Sequence, residues 1–209
     1  MTTVVVAGGP EPPAAIELPE HDRVIAADGG IEVAQALGLQ VDVAVGDLDS
    51  APEDLPAELE RHPSGKDASD LELALAAALR SERERIVVVG GGGGRLDHLL
   101  SALLLLAADA LAAVEVDAHL GSATIHVVRA ERLLRGQPGE LISLFAVPGA
   151  ARGVVTEGLR YPLSGETLEP GSSRGLSNVF EAQQAKIGVE SGVLLAVRPS
   201  GSVTAGTSS

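Results

Sequence analysis

The 209 residues carry 15 Lys and Arg against 29 Asp and Glu, a formal net charge of −14, and 45% of them are apolar. That apolar share supports a packed core in one domain or two small ones, while the charge argues against a general nucleic-acid binder, which needs surplus cations to neutralise phosphates. With no cysteine there are no disulfides, thiolate metal sites or cysteine nucleophile, and only Phe145, Tyr161 and Phe180 are aromatic.

The amino-terminal part alternates strand and helix patterns. Residues 3–7 are a short β-branched run that stops at Gly8-Gly9, and residues 23–27 are another, stopping at Asp28-Gly29-Gly30. Residues 31–37 read as a short helix ended by Gly38. Residues 41–45 read as a strand ending at Gly46-Asp47. A Leu/Ala helix is predicted over 71–80 and a buried strand over 86–89, which runs into Gly90 to Gly94. A long apolar helix is predicted over 96–111. Strands alternating with helices imply βαβ units, and near-continuous apolar strands imply a parallel sheet covered on both faces.

The rhythm then changes. Residues 141–147, 153–155, 185–189 and 193–197 are short β-type runs separated by turn signals such as Gln137-Pro138-Gly139 and Pro148-Gly149. No long helix is predicted there, so this part reads as a small all-β sandwich or barrel. Charge shifts at the same place. Residues 1–130 hold eight basic and twenty-two acidic residues, residues 131–209 hold seven of each, and every Asp lies at or before Asp117. The expected organisation is an α/β catalytic domain over 1–130, Rossmann-like with a mostly parallel sheet and flanking helices. A β-sandwich follows over 131–199, and a disordered tail over 200–209. No stretch reaches the roughly 20 apolar residues that span a bilayer, and no targeting segment is read at the start, so a soluble cytoplasmic protein with no membrane partner is expected.

Ligands of open α/β sheets bind at the carboxyl ends of the strands, and four strands here end in Gly or Asp. Asp47 and Asp49 form an Asp-x-Asp; continued strand geometry would point both to one side, suiting a hard cation such as Mg2+. A backbone-bonding turn is the plainer alternative, which Asp28 at a neighbouring strand end makes less attractive. Ser69 to Glu72 fits a capping box, and Asp70 suits the first turn of that helix by charge alone. Lys66 could reach a phosphate as a point charge. Gly90 to Gly94 could let backbone approach a phosphate, with Arg95 to neutralise it and Asp97 as an N-cap-region or site carboxylate. No Gly-Lys-Ser/Thr follows, so this is no Walker A loop. His98, beside an apolar helix, reads as structural. Carboxylates, glycines, one Lys and one Arg suit phosphoryl chemistry, where positioning and charge neutralisation carry most of the catalysis.

In this order, the pieces Ala27-Asp28-Gly29-Gly30, Val45-Gly46-Asp47-Leu48-Asp49-Ser50, Lys66-Asp67-Ala68-Ser69-Asp70, Gly94-Arg95-Leu96-Asp97-His98, Gly158-Leu159-Arg160-Tyr161-Pro162-Leu163 and Ser173-Arg174-Gly175-Leu176-Ser177-Asn178 resemble the thiamine pyrophosphokinase family. Singly these motifs are weak; six in register are specific. The resemblance implies transfer of the pyrophosphoryl group of ATP to the thiamine hydroxyl, giving thiamine diphosphate and AMP. It further implies a homodimer with sites at the subunit interface. Asp28, Asp47, Asp49 and Asp70 would form the Mg2+ and triphosphate site, with Asp47, Asp49, Asp70 and Asp97 catalytic. Gly29, Gly30, Lys66, Arg95 and Asp97 would lie at the nucleotide and transferred phosphates. Ser173, Arg174, Ser177 and Asn178 would bind thiamine, Ser177 and Asn178 from the partner subunit. The animal and fungal members place a Trp near the thiamine ring; this chain has none, and Phe180 is the nearest aromatic after Asn178. A diphosphokinase for another hydroxymethyl heterocycle, such as a pterin, and a non-catalytic nucleotide-binding relative are the competing readings.

Overall fold

The computed structural model describes residues 1–10, 16–48, 58–63, 65, 67–90, 92 and 94–199. The expected tail at 200–209 lies outside them. The chain forms two compact units that part between Ser122 and Ala123, eight residues before the compositional limit at 130. The reason is strand β7 (Ala123–Val128), which pairs antiparallel with the last strand, β14 (Leu194–Arg198).

The first unit contains β1 (Thr2–Ala7), β2 (Arg23–Ala27), α1 (Gly30–Ala36), β3 (Val43–Gly46), β4 (Glu58–Arg61), α2 (Asp70–Leu79), β5 (Arg85–Gly90), α3 (Leu96–Leu106), a 3-10 turn at Asp109–Leu111 and β6 (Glu115–Leu120). Its strand order is β6-β5-β1-β2-β3-β4, every pair parallel. The connection β2-α1-β3 runs toward the β4 edge, whereas β4-α2-β5 runs back across the sheet. Right-handed crossovers in opposite directions put the two helices on opposite faces. Val4, Val6, Val24, Val87 and Val89 accordingly cluster with Val33 and Ala34 of α1. Helix α2 packs on β1, β2 and β3 and buries Ala74, Leu75, Ala77 and Ala78. Strands covered on both sides explain why Val4, Val5 and Val6 in succession are fully buried.

In this unit two strands carry no sequence signal. β4 is an edge strand in which Leu59 is flanked by Glu58, Glu60 and Arg61, charges that suit an unpaired edge. β6 breaks its apolar run with Asp117, which is buried and ion-paired with Arg85 on β5. The third helix is shorter than predicted, ending at Leu106 before the 3-10 turn. It is also less covered: only Leu106 of its residues is buried, while Leu96, Leu100 and Leu104 are 77%, 55% and 46% exposed.

The second unit is all β, as expected. One layer has the order β12-β9-β14-β7, with β9 at Leu141–Ala146 and β12 at Asn178–Val179. The other has the order β11-β10-β13-β8, with β8 at Glu131–Arg135, β10 at Ala151–Glu157, β11 at Ser164–Leu168 and β13 at Gln184–Gly188. Period-two alternation builds the core between them: Ile142, Leu144 and Ala146 of β9 and Leu194 and Ala196 of β14 meet Val154, Ala185 and Ile187. Ser143 and Phe145 of β9 face the other way by the same alternation.

Candidate active site

Parallel register brings the strand ends level. Ala7 pairs with Ala27 and with Gly90, and Ala27 pairs with Val45. Gly8, Asp28, Gly46 and the glycine run therefore start from one edge, as the sequence pattern predicts. The backbones touch there. A Cβ on Gly8 would meet the Gly29 carbonyl carbon at 3.2 Å, and one on Gly30 would sit 2.1 Å from the Val6 oxygen. Gly30 is thus required for packing α1 onto β1. Of the two glycines expected to bind nucleotide, Gly30 is buried with this structural task, while Gly29 is exposed and has room for a Cβ.

The centre of the edge is Gly46. Its φ of +149° lies where glycine is at home. A Cβ there would lie 3.1 Å from the Asp28 Cβ and 3.1 Å from the Asp70 Oδ1, so the side chains of β2's end and α2's start meet over a bare α-carbon. Asp28 is held by its own amide, which donates to the Val45 oxygen at 2.8 Å, and its backbone is left-handed at φ +39°. Asp70 opens α2 behind Ser69, whose hydroxyl accepts from the Glu72 amide at 3.2 Å. The forward half of the predicted capping box is present. Asp28, Asp47 and Asp70 are each half-buried.

The Asp-x-Asp does not continue the strand. β3 ends at Gly46, and Leu48 is left-handed at φ +56°, so the alternation that would send Asp47 and Asp49 to one side is broken at the intervening residue. The Asp47 oxygen accepts from the Arg61 guanidinium at 3.3 Å, and the Gly46 oxygen accepts from the His62 amide at 2.8 Å. Both bonds tie this turn to β4 and the residue after it. Asp49 and Lys66 lie outside the described residues. Among the described residues, no group of three or more His, Cys, Asp or Glu comes close enough to hold a metal ion. The residue types nonetheless fit Mg2+ in kind: the Asp70 Oδ1, a hard carboxylate oxygen, and the Asp28 Cβ border a cradle that a single Cβ at Gly46 would fill.

Arg95 and Asp97 are brought together. The guanidinium grips both carboxylate oxygens, at 3.2 and 2.6 Å, on the exposed start of α3. The hydrogen bonds from Arg95 hold the Asp97 carboxyl below its usual range, and Asp97 in turn raises Arg95. His98, expected to be a satisfied structural residue, is exposed.

In the second unit the thiamine-site expectations divide. Ser177 is exposed and left-handed at φ +56°, and its amide donates to the Ser143 hydroxyl at 3.0 Å. Ser173 is exposed too. Arg174 is paired through two 2.9 Å bonds with Glu166. Asn178 is 4% exposed and its amide is closed inward. Its oxygen accepts from the Tyr161 and Val179 amides at 3.0 and 2.9 Å, and its nitrogen donates to the Tyr161 oxygen at 2.8 Å. Asn178 therefore ties down the Tyr161 loop. Phe180 is fully buried, with the Arg198 guanidinium 5.5 Å from its ring centre, so it offers no face to a ligand. Tyr161 and Phe145, at 53% and 37%, are the exposed aromatics. Burial of one Asn and one Phe and exposure of one Tyr leave no mark on the sequence.

Two family descriptions match the chain: "Thiamin pyrophosphokinase, catalytic domain" over residues 16–116 and "Thiamin pyrophosphokinase, vitamin B1 binding domain" over residues 122–194. Among solved structures, the chain is similar to thiamine pyrophosphokinase from Bacillus subtilis, with TM-score 0.81 and 24% identity over 96% of this chain and 100% of that one. It is similar to a family protein from Enterococcus faecalis at 0.80 and 23%, with 96% and 100% covered. It is similar to thiamin pyrophosphokinase from Candida albicans at 0.71 and 14%, with 95% and 89% covered. Among curated proteins none matches it in sequence.

Proposed function

The chain belongs to the thiamin pyrophosphokinase family and carries both of its domains, which makes it a thiamine diphosphokinase; we propose that ATP with Mg2+ is the donor and AMP the second product. The thiamine hydroxyl oxygen attacks the β-phosphorus. The bond from that phosphorus to the bridging α–β oxygen breaks, and AMP carries the oxygen away. The single observation that carries the reading is the meeting of Asp28 and Asp70 over the bare α-carbon of Gly46 at the carboxyl edge.

Asp28, Asp47, Asp49 and Asp70 would hold the metal. Carboxylates gathered at one edge would repel one another, and a bound cation would relieve that cost. When bound, Mg2+ neutralises triphosphate charge and orients its oxygens. Lys66 and Arg95 would add positive charge toward the phosphates. Asp97 holds the Arg95 guanidinium in place, which gives it a positioning role in this scheme. The departing hydroxyl proton passes to a carboxylate of the edge. An acidic site also suits the cationic thiazolium. In the second unit the exposed Ser173 and Ser177 hydroxyls would contact thiamine, while Asn178 and Arg174 shape the surface around them.

Homodimerisation is supported by α3. Leu96, Leu100 and Leu104 form an exposed i, i+4, i+8 ridge that is symmetric about Leu100. A two-fold axis at Leu100 would place Leu96 against Leu104 of a second copy, the self-complementarity an isologous interface needs. No helix among the described residues is long and apolar enough to cross a membrane. A cytoplasmic setting, where ATP and Mg2+ are abundant, suits the chemistry.

The test is thiamine-dependent AMP release by the wild-type protein and by Asp70→Asn. The reading predicts release that needs Mg2+ and falls at least 100-fold in the variant; equal release from both would refute it.

A further inference from the structure

We infer that Leu48 is a positioning residue of the carboxyl-edge site: its buried side chain locks a left-handed turn that fixes the backbone carrying Asp47. The inference rests on reading that edge as the metal and triphosphate site.

Three non-glycine residues among those described have positive φ, namely Asp28, Leu48 and Ser177, and all three fall in segments already singled out for function. Asp and Ser have short polar side chains that can bond locally and ease such a conformation. Leucine has no such compensation, and its Cβ crowds the following carbonyl in this region. A strained residue of this kind persists only when its surroundings over-determine it. Those surroundings are visible. Leu48 is 5% exposed and clusters with Ala26 of β2, Ile31 of α1 and Ala44 of β3. The side chain is thus inserted between the sheet and α1, beside the strand whose end carries Asp28.

Asp47 sits between two unusual backbones, Gly46 at φ +149° and Leu48 at φ +56°. From the other side its carbonyl is tied to Arg61 and the Gly46 carbonyl to the His62 amide. The turn is therefore pinned at both ends, by hydrogen bonds to the β4 side and by an apolar plug on the α1 side. A glycine at 48 would make the same turn without strain and without the plug. The presence of leucine marks the plug as the part that matters, and the residue it immobilises is a candidate metal ligand.

The experiment compares Leu48→Gly, Leu48→Met and Ile31→Ala with the wild type. It reads Mn2+ binding in the presence of a non-hydrolysable ATP analogue, the melting temperature, and kcat and KM for thiamine. Leu48→Gly is expected to weaken Mn2+ binding by about 10-fold, the scale of losing a group that orients a metal ligand, and to lower kcat with KM for thiamine unchanged. Leu48→Met keeps the volume and is expected to stay within about threefold of wild type. Ile31→Ala opens the same cluster without touching the turn; it should lower the melting temperature and leave Mn2+ binding intact. If Leu48→Gly does not fold, Leu48→Ala replaces it, with the same expected weakening. Wild-type Mn2+ affinity in folded Leu48→Gly or Leu48→Ala overturns the inference, as does equal weakening by Ile31→Ala, or a wild type that binds no Mn2+. A wild type that binds Mn2+ with nucleotide but forms no thiamine diphosphate would refute the proposed function and leave the role of Leu48 standing.

Discussion

Replacing Gly46 by alanine tests the cradle at its narrowest point. Two costs arise. The first is conformational: a side chain at φ +149° occupies a region that strains L residues by about 1–3 kcal/mol. The second is steric. The new Cβ would stand 3.1 Å from both the Asp28 Cβ and the Asp70 Oδ1, so one or both must move by a few tenths of an ångström. Gly38 separates the two costs. It too has positive φ, +71°, but nothing lies within 4 Å of its Cβ position. Gly38→Ala should therefore cost about 1 kcal/mol, roughly 2–4 °C in melting temperature for a chain of this size, and leave turnover unchanged. Gly46→Ala should cost more stability and also lower kcat by about 10- to 100-fold, because displacing groups that position reacting atoms is expensive. The assay is thermal unfolding beside thiamine diphosphate formation at saturating substrates. If Gly46→Ala loses stability but keeps wild-type kcat, as Gly38→Ala does, Asp28 and Asp70 do not act together at this edge.

Further outcomes follow from the same structure. Ser69→Ala removes the α2 cap and should cost about 1 kcal/mol, seen as a lower melting temperature, with a fall in kcat because Asp70 is the next residue. The Glu60 carboxyl lies below its ordinary value of 4.5, chiefly through its hydrogen bond from Arg80 and then through His62. Its stabilisation is therefore complete above pH 4.5 and lost as pH falls through the lowered value. Arg80→Ala should cost about 0.5 kcal/mol at pH 7, a figure set by the partial exposure of the pair, and less with each step below pH 4.5; a pH-independent cost by thermal unfolding would contradict this. Leu100→Asp should convert a dimer to monomers by analytical ultracentrifugation, and an unchanged dimer would exclude the α3 ridge.

Much of this architecture is legible in the sequence because parallel strands buried on both faces need unbroken apolar runs. β1, β2, β3 and β5 each declare themselves that way, and each stops at a Gly or Asp that the register then aligns. β4 and β6 do not, since an edge strand wants charge and a buried ion pair interrupts the run that would reveal it. β12 is two residues long, and no pattern fits in two residues. The leucines of α3 mislead in another way: composition records that they are apolar but not that three of them remain uncovered. At the site, the aspartates and glycines are readable as residue types. Their geometry is not, because nothing in the letters announces the left-handed turn at Leu48 that follows Asp47. Asn178 shows the same limit. An amide closed on a neighbouring loop and an amide offered to a substrate are the same letter.

The most direct test is a product balance. The purified protein, thiamine, ATP and Mg2+ are incubated, and thiamine diphosphate, AMP and ADP are resolved over time. The account predicts thiamine diphosphate and AMP rising together in equal amounts, with no ADP and no product when thiamine or Mg2+ is left out. Accumulation of ADP with a singly phosphorylated thiamine, or no thiamine product at all, would contradict it.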